Sequence, residues 1–148
     1  MTEQIQIIAF YEFERLAEVA PLADLRSALR EMFQELDVRG TIILAEEGYN
    51  GMICGRPDNV VRFIEQAGVL LDTKLNYKSS FHDTAPFRRI DVKIKPELVT
   101  LKQSVDISLG VGTHVDPENW NDIISDPETF VLDTRNRYEY ATGTFEGA

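Results

Sequence analysis

The chain has 148 residues, 43% of them hydrophobic and 27% charged, with 9 Gly and 6 Pro, a composition that excludes disorder, collagen and coiled coil. One cysteine excludes an internal disulfide, and a chain of this length buries roughly 70% of its unfolded surface when it folds as one unit, enough for a core without metals or bridges. The formal net charge of −10 excludes uniform attraction to nucleic acid and leaves only local reversals of sign to serve that purpose.

Ile5 to Phe13 reads as a first strand, β-branched and aromatic, with Ile5, Ile7, Ala9, Tyr11 and Phe13 alternating against Gln6, Ile8, Phe10 and Glu12. Both faces are apolar, so a central position is expected. Pro21 sets a first helical turn, and Leu22, Leu25, Leu29, Met32, Phe33 and Leu36 follow at helical spacing to an end near Asp37. Thr41 to Ala45 is a second strand and Met52 to Gly55 a third. Glu46 to Gly51 joins them, its glycines and asparagine able to take positive φ, so a hairpin is expected.

Pro57 and Asp58 open a second helix, with Val60, Val61, Ile64 and Ala67 on one face and Gly68 as a stop. Arg88 to Lys95 is expected as the fourth strand, Ile90, Val92 and Ile94 pointing one way and Arg89, Asp91, Lys93 and Lys95 the other, with Pro96 ending it. The order strand, helix, strand, strand, helix, strand predicts an α+β fold for residues 1–102: a ferredoxin-like βαββαβ sandwich with both helices on one face of the sheet. Residues 103–148 change character. Gln103 to Gly112 suits a linker, Asp116 to Glu118 start a short helix bearing Trp120, Ile123 and Ile124, and Asp126 and Pro127 break it. Thr129 to Leu132 is a buried-strand candidate, followed by a turn and a short tyrosine-containing helix up to Ala148. With one strand and two short helices, this second part is too small to close a core alone.

Charge is unevenly placed. Residues 1–103 carry 13 basic against 16 acidic side chains, and residues 104–148 carry 2 against 9. Positions 74–102 reverse the sign, with Lys74, Lys78, Arg88, Arg89, Lys93, Lys95 and Lys102 against Asp83, Asp91 and Glu97. A polyanion would have to land there, so Arg88, Arg89, Lys93 and Lys95 are the candidate phosphate-contacting residues; the alternative is a sheet edge protected by charge. No apolar stretch approaches the roughly 20 residues that cross a bilayer. Met1 to Gln6 has neither a basic nor an apolar leader segment, which makes the cytoplasm the expected location.

Val131-Leu132-Asp133-Thr134-Arg135-Asn136-Arg137-Tyr138-Glu139, with Gly143, Phe145 and the final Gly147-Ala148, resembles the opening of a rhodanese domain. Together with Glu46-Glu47-Gly48-Tyr49-Asn50-Gly51 and with Gly112-Thr113 before Pro117 and Trp120, it is similar to the bacterial tRNA uridine hydroxylase family. Members join an acylphosphatase-like, ferredoxin-fold N-terminal domain to an α/β rhodanese-like domain. The resemblance implies oxygen-dependent conversion of the wobble uridine of tRNA to 5-hydroxyuridine, with molecular oxygen as co-substrate and tRNA as partner. The family's reactive cysteine lies in a loop beyond the Gly-Ala, so the resemblance implies a chain cut within the rhodanese domain and assigns no catalytic residue between Met1 and Ala148. Rhodanese-type sulfur transfer and a non-catalytic binding module are the alternatives.

Individual residues carry paired readings. Cys54, between Ile53 and Gly55 and near no histidine, reads as a small buried hydrophobe rather than a nucleophile. His82 and His114 lack partners at ligand spacing, so no metal site is expected. Glu47 and Asn50 form a candidate loop site, with plain turn chemistry as the alternative. True acylphosphatases cradle phosphate in a glycine-rich loop after the first strand; Glu12-Phe13-Glu14-Arg15-Leu16-Ala17 has no glycine there, and its carboxylates repel an acyl phosphate. Asp133, Arg135 and Glu139, implied by the rhodanese resemblance, either line a catalytic cleft or hold the local turn and helix together.

Overall fold

The structure is a computed structural model describing residues 4–103, 106, 109–110 and 112–148. It divides into two compact units, residues 1–107 and 108–148. In unit 1, β1 (Ile5–Phe13) leads through the single turn of α1 (Leu16–Val19) to α2 (Leu22–Glu35); then come β2 (Arg39–Ala45), β3 (Gly48–Gly55), α3 (Pro57–Leu70), β4 (Tyr77–His82) and β5 (Ile90–Ile94). The sheet order is β4-β1-β3-β2-β5, antiparallel except for the parallel β2–β5 pair.

Alternation along the strands assigns the two faces. Ile8 and Phe10 of β1, Ile42 and Leu44 of β2, Ile53 of β3 and Val92 of β5 enter one core with Leu25, Leu29 and Phe33 of α2 and Val60, Phe63 and Ala67 of α3. Each such large apolar side chain contributes about 1.5–3 kcal/mol on burial. Aromatic rings run through this core: Phe10 lies 6.2 Å from both Tyr49 and Phe63, and Phe63 lies 5.5 Å from Phe33. Among the described residues of unit 1, the other face carries no helix. Among the described residues, no helix is long and apolar enough to cross a membrane.

The sandwich has the expected α+β class and hairpin, but its fourth strand is not Arg88 to Lys95. The place beside β1 belongs to β4, whose register runs Ile5↔His82 to Phe10↔Tyr77. The segment around Arg88 to Lys95 forms β5, Ile90 to Ile94, a fifth strand on the opposite edge, parallel to β2. β4 escapes sequence reading because Tyr77-Lys78-Ser79-Ser80-Phe81-His82 is mostly polar and exposed throughout; an edge strand is held by backbone bonds to one neighbour and has little apolar pattern to reveal it. The hairpin is also tighter than expected. Its turn is Glu46–Glu47 alone, and Gly48 to Gly51 already belong to β3.

Unit 2 contains α4 (Pro117–Ile124) and α5 (Arg137–Thr142), where short helices were expected. Thr129 to Leu132 is neither strand nor buried; Phe130 is 85% and Leu132 69% exposed. A strand needs a neighbour for its backbone groups, and none is beside it among the described residues. Trp120 and Phe145 meet with ring centroids 4.9 Å apart and planes tilted by 50°, yet no described residue of unit 2 is fully buried. The expected linker at 103–112 falls in part outside the described residues.

Gly48 is required by the hairpin: its φ is +145°, and a β-carbon there would lie 2.0 Å from the Glu12 carbonyl oxygen. Gly48→Ala is expected to lower the unfolding free energy by roughly 3 kcal/mol. Gly112→Ala, with nothing within 4 Å, should leave it unchanged in the same denaturant titration.

Candidate nucleic-acid interface

β5 gathers the basic candidates at one sheet edge. Val92 is buried in the core, so Asp91 and Lys93 occupy the helix-free face, where Lys93 Nζ lies 2.8 Å from Asp91 Oδ2. Arg88, Arg89 and Lys95 flank the strand with exposed side chains. Their backbone is pinned, because Gly40 N–H donates to the Arg89 carbonyl (3.0 Å) and Lys95 N–H to that of Leu44 (2.9 Å). The Asp91–Lys93 pair is about half exposed on both sides and contributes at most about 1 kcal/mol. Exchanging that carboxylate for a phosphate oxygen therefore costs little.

Glu47 and Asn50 are separated by the structure. The Glu47 carboxylate Oε1 accepts from Leu98 N–H at 2.6 Å, and its carbonyl accepts from Glu14 N–H at 2.9 Å. Leu16 N–H donates to the Glu46 carbonyl at 3.2 Å. These bonds occupy the backbone amides of Glu14 and Leu16 that an anion cradle after β1 would use. Asn50 lies within β3, opposite Tyr11 and Ile43, and is exposed on the helix-free face.

Asp133, Arg135 and Glu139 are brought together with Gly143 and Thr144 in unit 2. Arg135 grips Asp133 in a fork, Nε to Oδ1 at 3.0 Å and Nη2 to Oδ2 at 2.6 Å, and its Nη2 also donates to the Gly143 carbonyl at 2.8 Å. Arg135 N–H and Thr144 Oγ1 complete the donors to Asp133. These bonds from Arg135, and then Thr144, hold the Asp133 carboxyl well below the usual carboxylate range. Glu139 accepts from Asn136 N–H at 3.1 Å in a capping box that starts α5.

Cys54 is buried on β3. His82 is engaged within its own turn, accepting from Thr84 N–H at 3.1 Å, and His114 is exposed. A feature that sequence reading misses lies at the end of β1, where Glu14 Oε2 and the hydroxyl of buried Tyr49 are both enclosed without a hydrogen-bond partner. Burial and then the Glu12 carboxylate push the Glu14 carboxyl up, with a Thr73 hydrogen bond opposing them. Burial likewise raises the Tyr49 phenol. Only strand register pairs Glu12 with Tyr49, so no local sequence signal announces the cluster.

Because the folded state holds the Glu14 proton to higher pH than the unfolded chain does, this group favours folding below its ordinary value of 4.5. That contribution is lost as pH rises through the raised folded value. Glu14→Gln should therefore match the parent in thermal midpoint near pH 4.5 and exceed it at pH 7; a constant difference across that range would count against the assignment.

Comparison with known proteins places these features in a family. The family model described as the UPF0176 acylphosphatase like domain matches residues 5–98. A tRNA uridine(34) hydroxylase of Synechocystis sp. is 43% identical over 145 residues, covering 97% of this chain and 51% of that protein; the chain thus spans about half the length of the curated relative it matches. Similar solved structures include an acylphosphatase from Coxiella burnetii, 14% identical with a TM-score of 0.38 over 63% of this chain and 94% of that one. Another is an acylphosphatase from Bacillus subtilis, 13% identical with a TM-score of 0.41 over 62% and 98%. With the family model spanning all five strands and most of the chain's length, the chain belongs to the UPF0176 acylphosphatase-like family.

Proposed function

We propose that this chain serves the oxygen-dependent hydroxylation of the wobble uridine of tRNA to 5-hydroxyuridine in the cytoplasm. Unit 1 contacts tRNA, and a rhodanese-like domain, of which residues 103–148 are the beginning, supplies the chemistry with molecular oxygen as co-substrate. The observation that carries this reading is the 43% identity with a tRNA uridine(34) hydroxylase, which continues through unit 2, well beyond the residues matched by the family model.

The geometry agrees with that division of labour. The basic side chains of Arg88, Arg89, Lys93 and Lys95 stand exposed along one edge of an otherwise acidic chain. The thiol of Cys54 is enclosed, and a reactive thiolate needs donors or cations around an accessible sulfur. Asp133 and Arg135 spend their polar atoms on each other and on the segment around Gly143, so they hold a scaffold rather than move protons. The exposed Phe130, Leu132 and Tyr138 support unit 2 as the start of a domain whose remaining strands would cover them.

Two measurements test the proposal. Mass spectrometry of tRNA from a strain lacking the gene should find 5-hydroxyuridine lost or strongly reduced, and residues 1–148 alone should neither restore it nor transfer sulfur from thiosulfate. Undiminished 5-hydroxyuridine would overturn the reading. Separately, replacing Arg89 and Lys93 by Glu should weaken tRNA binding irrespective of sequence and lower the log-log salt slope by about 1.4 to 1.8, the loss of two phosphate contacts. An unchanged slope would remove β5 from the interface.

A further inference from the structure

We infer that the helix-free face of the unit 1 sheet is a platform for an unpaired stretch of RNA, whose bases stack on Tyr11 and Phe13. This rests on the tRNA reading above and specifies the part of the molecule taken: an exposed loop rather than a helical stem.

The register defines the face. Tyr11 pairs with Asn50 and Phe13 with Gly48, so both rings stand on the last turn-ward residues of β1, beside β3 and just past the end of its pairing with β4 at Phe10. They are 57% and 41% exposed, and Met52, one step along β3, is 45% exposed. Two residues along a strand span about 6.8 Å, which puts the rings far enough apart to receive different bases. Gly48 presents no side chain beside Phe13. Asn50, exposed beside Tyr11, offers an amide with both donors and an acceptor for a base edge.

Charge selects the occupant. Lys78 opposes Ala9 on β4 at one edge of this face, while Arg39 on β2 and Lys93 on β5 lie toward the other. Asp91 is the one carboxylate at a register position there. Five strands at about 4.8 Å spacing separate the edges by roughly 19 Å, so a backbone crossing the sheet meets cations on either side of the aromatic centre. That sign suits a polyanion, whereas a second copy docked face to face about a two-fold axis would set this cationic rim against itself. Aromatic rings with a cationic rim bind single strands, because duplex bases are already stacked on one another and cannot reach a flat protein surface.

The test is fluorescence anisotropy of the 148-residue chain with a labelled uridine-rich RNA decamer, alone and annealed to its complement. The single strand should bind at least about tenfold tighter than the duplex. Tyr11→Ala and Phe13→Ala should each weaken it about tenfold, and Tyr11→Phe, which keeps the ring, should bind within about twofold of the parent. Thermal midpoints of these variants report that folding is intact. Equal affinity for duplex, unchanged affinity of both alanine variants, or a sedimenting dimer that Tyr11→Ala dissociates would overturn the inference; the last would make a second copy the occupant. Tyr11-independent binding of tRNA with 5-hydroxyuridine lost in the deletion strain removes only the platform. Ring-dependent binding of the decamer with 5-hydroxyuridine undiminished removes the hydroxylation reading and leaves the platform.

Discussion

Unit 1 depends on the Glu46–Glu47 turn, where three otherwise separate stretches of chain are bonded together. The carbonyls of Glu46 and Glu47 take the amides of Leu16 and Glu14, and the Glu47 carboxylate takes that of Leu98. The exit of β1, the start of α1 and the segment after β5 are thereby fixed to the β2–β3 hairpin. Leu16, fully enclosed, reaches the core because its own backbone is held at that turn. Amides already donating to carbonyls cannot also converge on an anion, so those of Glu14 and Leu16 are spent on internal structure.

With that end of the sheet secured, alternation along each strand separates two surfaces of different chemistry. Large side chains of β1, β2 and β3 go toward the helices, where Phe10, Tyr49, Phe63 and Phe33 interlock. The opposite surface carries the half-buried Ile5, Ile7 and Ile43 beside smaller and polar residues, with Tyr11, Phe13 and Met52 exposed among them. Its edges carry lysine and arginine while acid prevails elsewhere, and unit 2 is richer still in acid, with 8 acidic against 2 basic residues from 108 onward. A surrounding field that repels polyanions makes a small basic region more selective, since approach in any other orientation is unfavourable.

Periodicity made most of unit 1 legible. The alternating apolar residues of β1, the helical spacing from Leu22 to Leu36 and the Pro57 start of α3 all carry physical signals that survive into the structure. What escaped depends on pairing rather than pattern. Strand β4 buries no side chain, and the parallel partnership of β5 with β2 is a long-range choice that Ile90, Val92 and Ile94 cannot express locally. For the same reason Tyr11 and Phe13 read only as an apolar face of a central strand. Their exposure becomes visible once both helices are seen to lie on the other side. The basic candidates were legible as a cluster in sequence, whereas their shared edge required the register. The enclosed cluster of Glu14 and Tyr49 required the third dimension altogether.

The polar residues around α5 in unit 2 form a closed set of hydrogen bonds. Asp133 receives the Arg135 fork, the Arg135 amide and the Thr144 hydroxyl, which saturates a carboxylate's accepting sites. A general base needs a free lone pair and a proton affinity near the working pH, and these donors shift Asp133 the other way. Arg135, bonded onward to the Gly143 carbonyl, ties the chain before α5 to the chain after it, while the Asn136–Glu139 capping box fixes where the helix begins. Such a closed set of bonds positions whatever follows Gly143 with respect to the segment at Asp133.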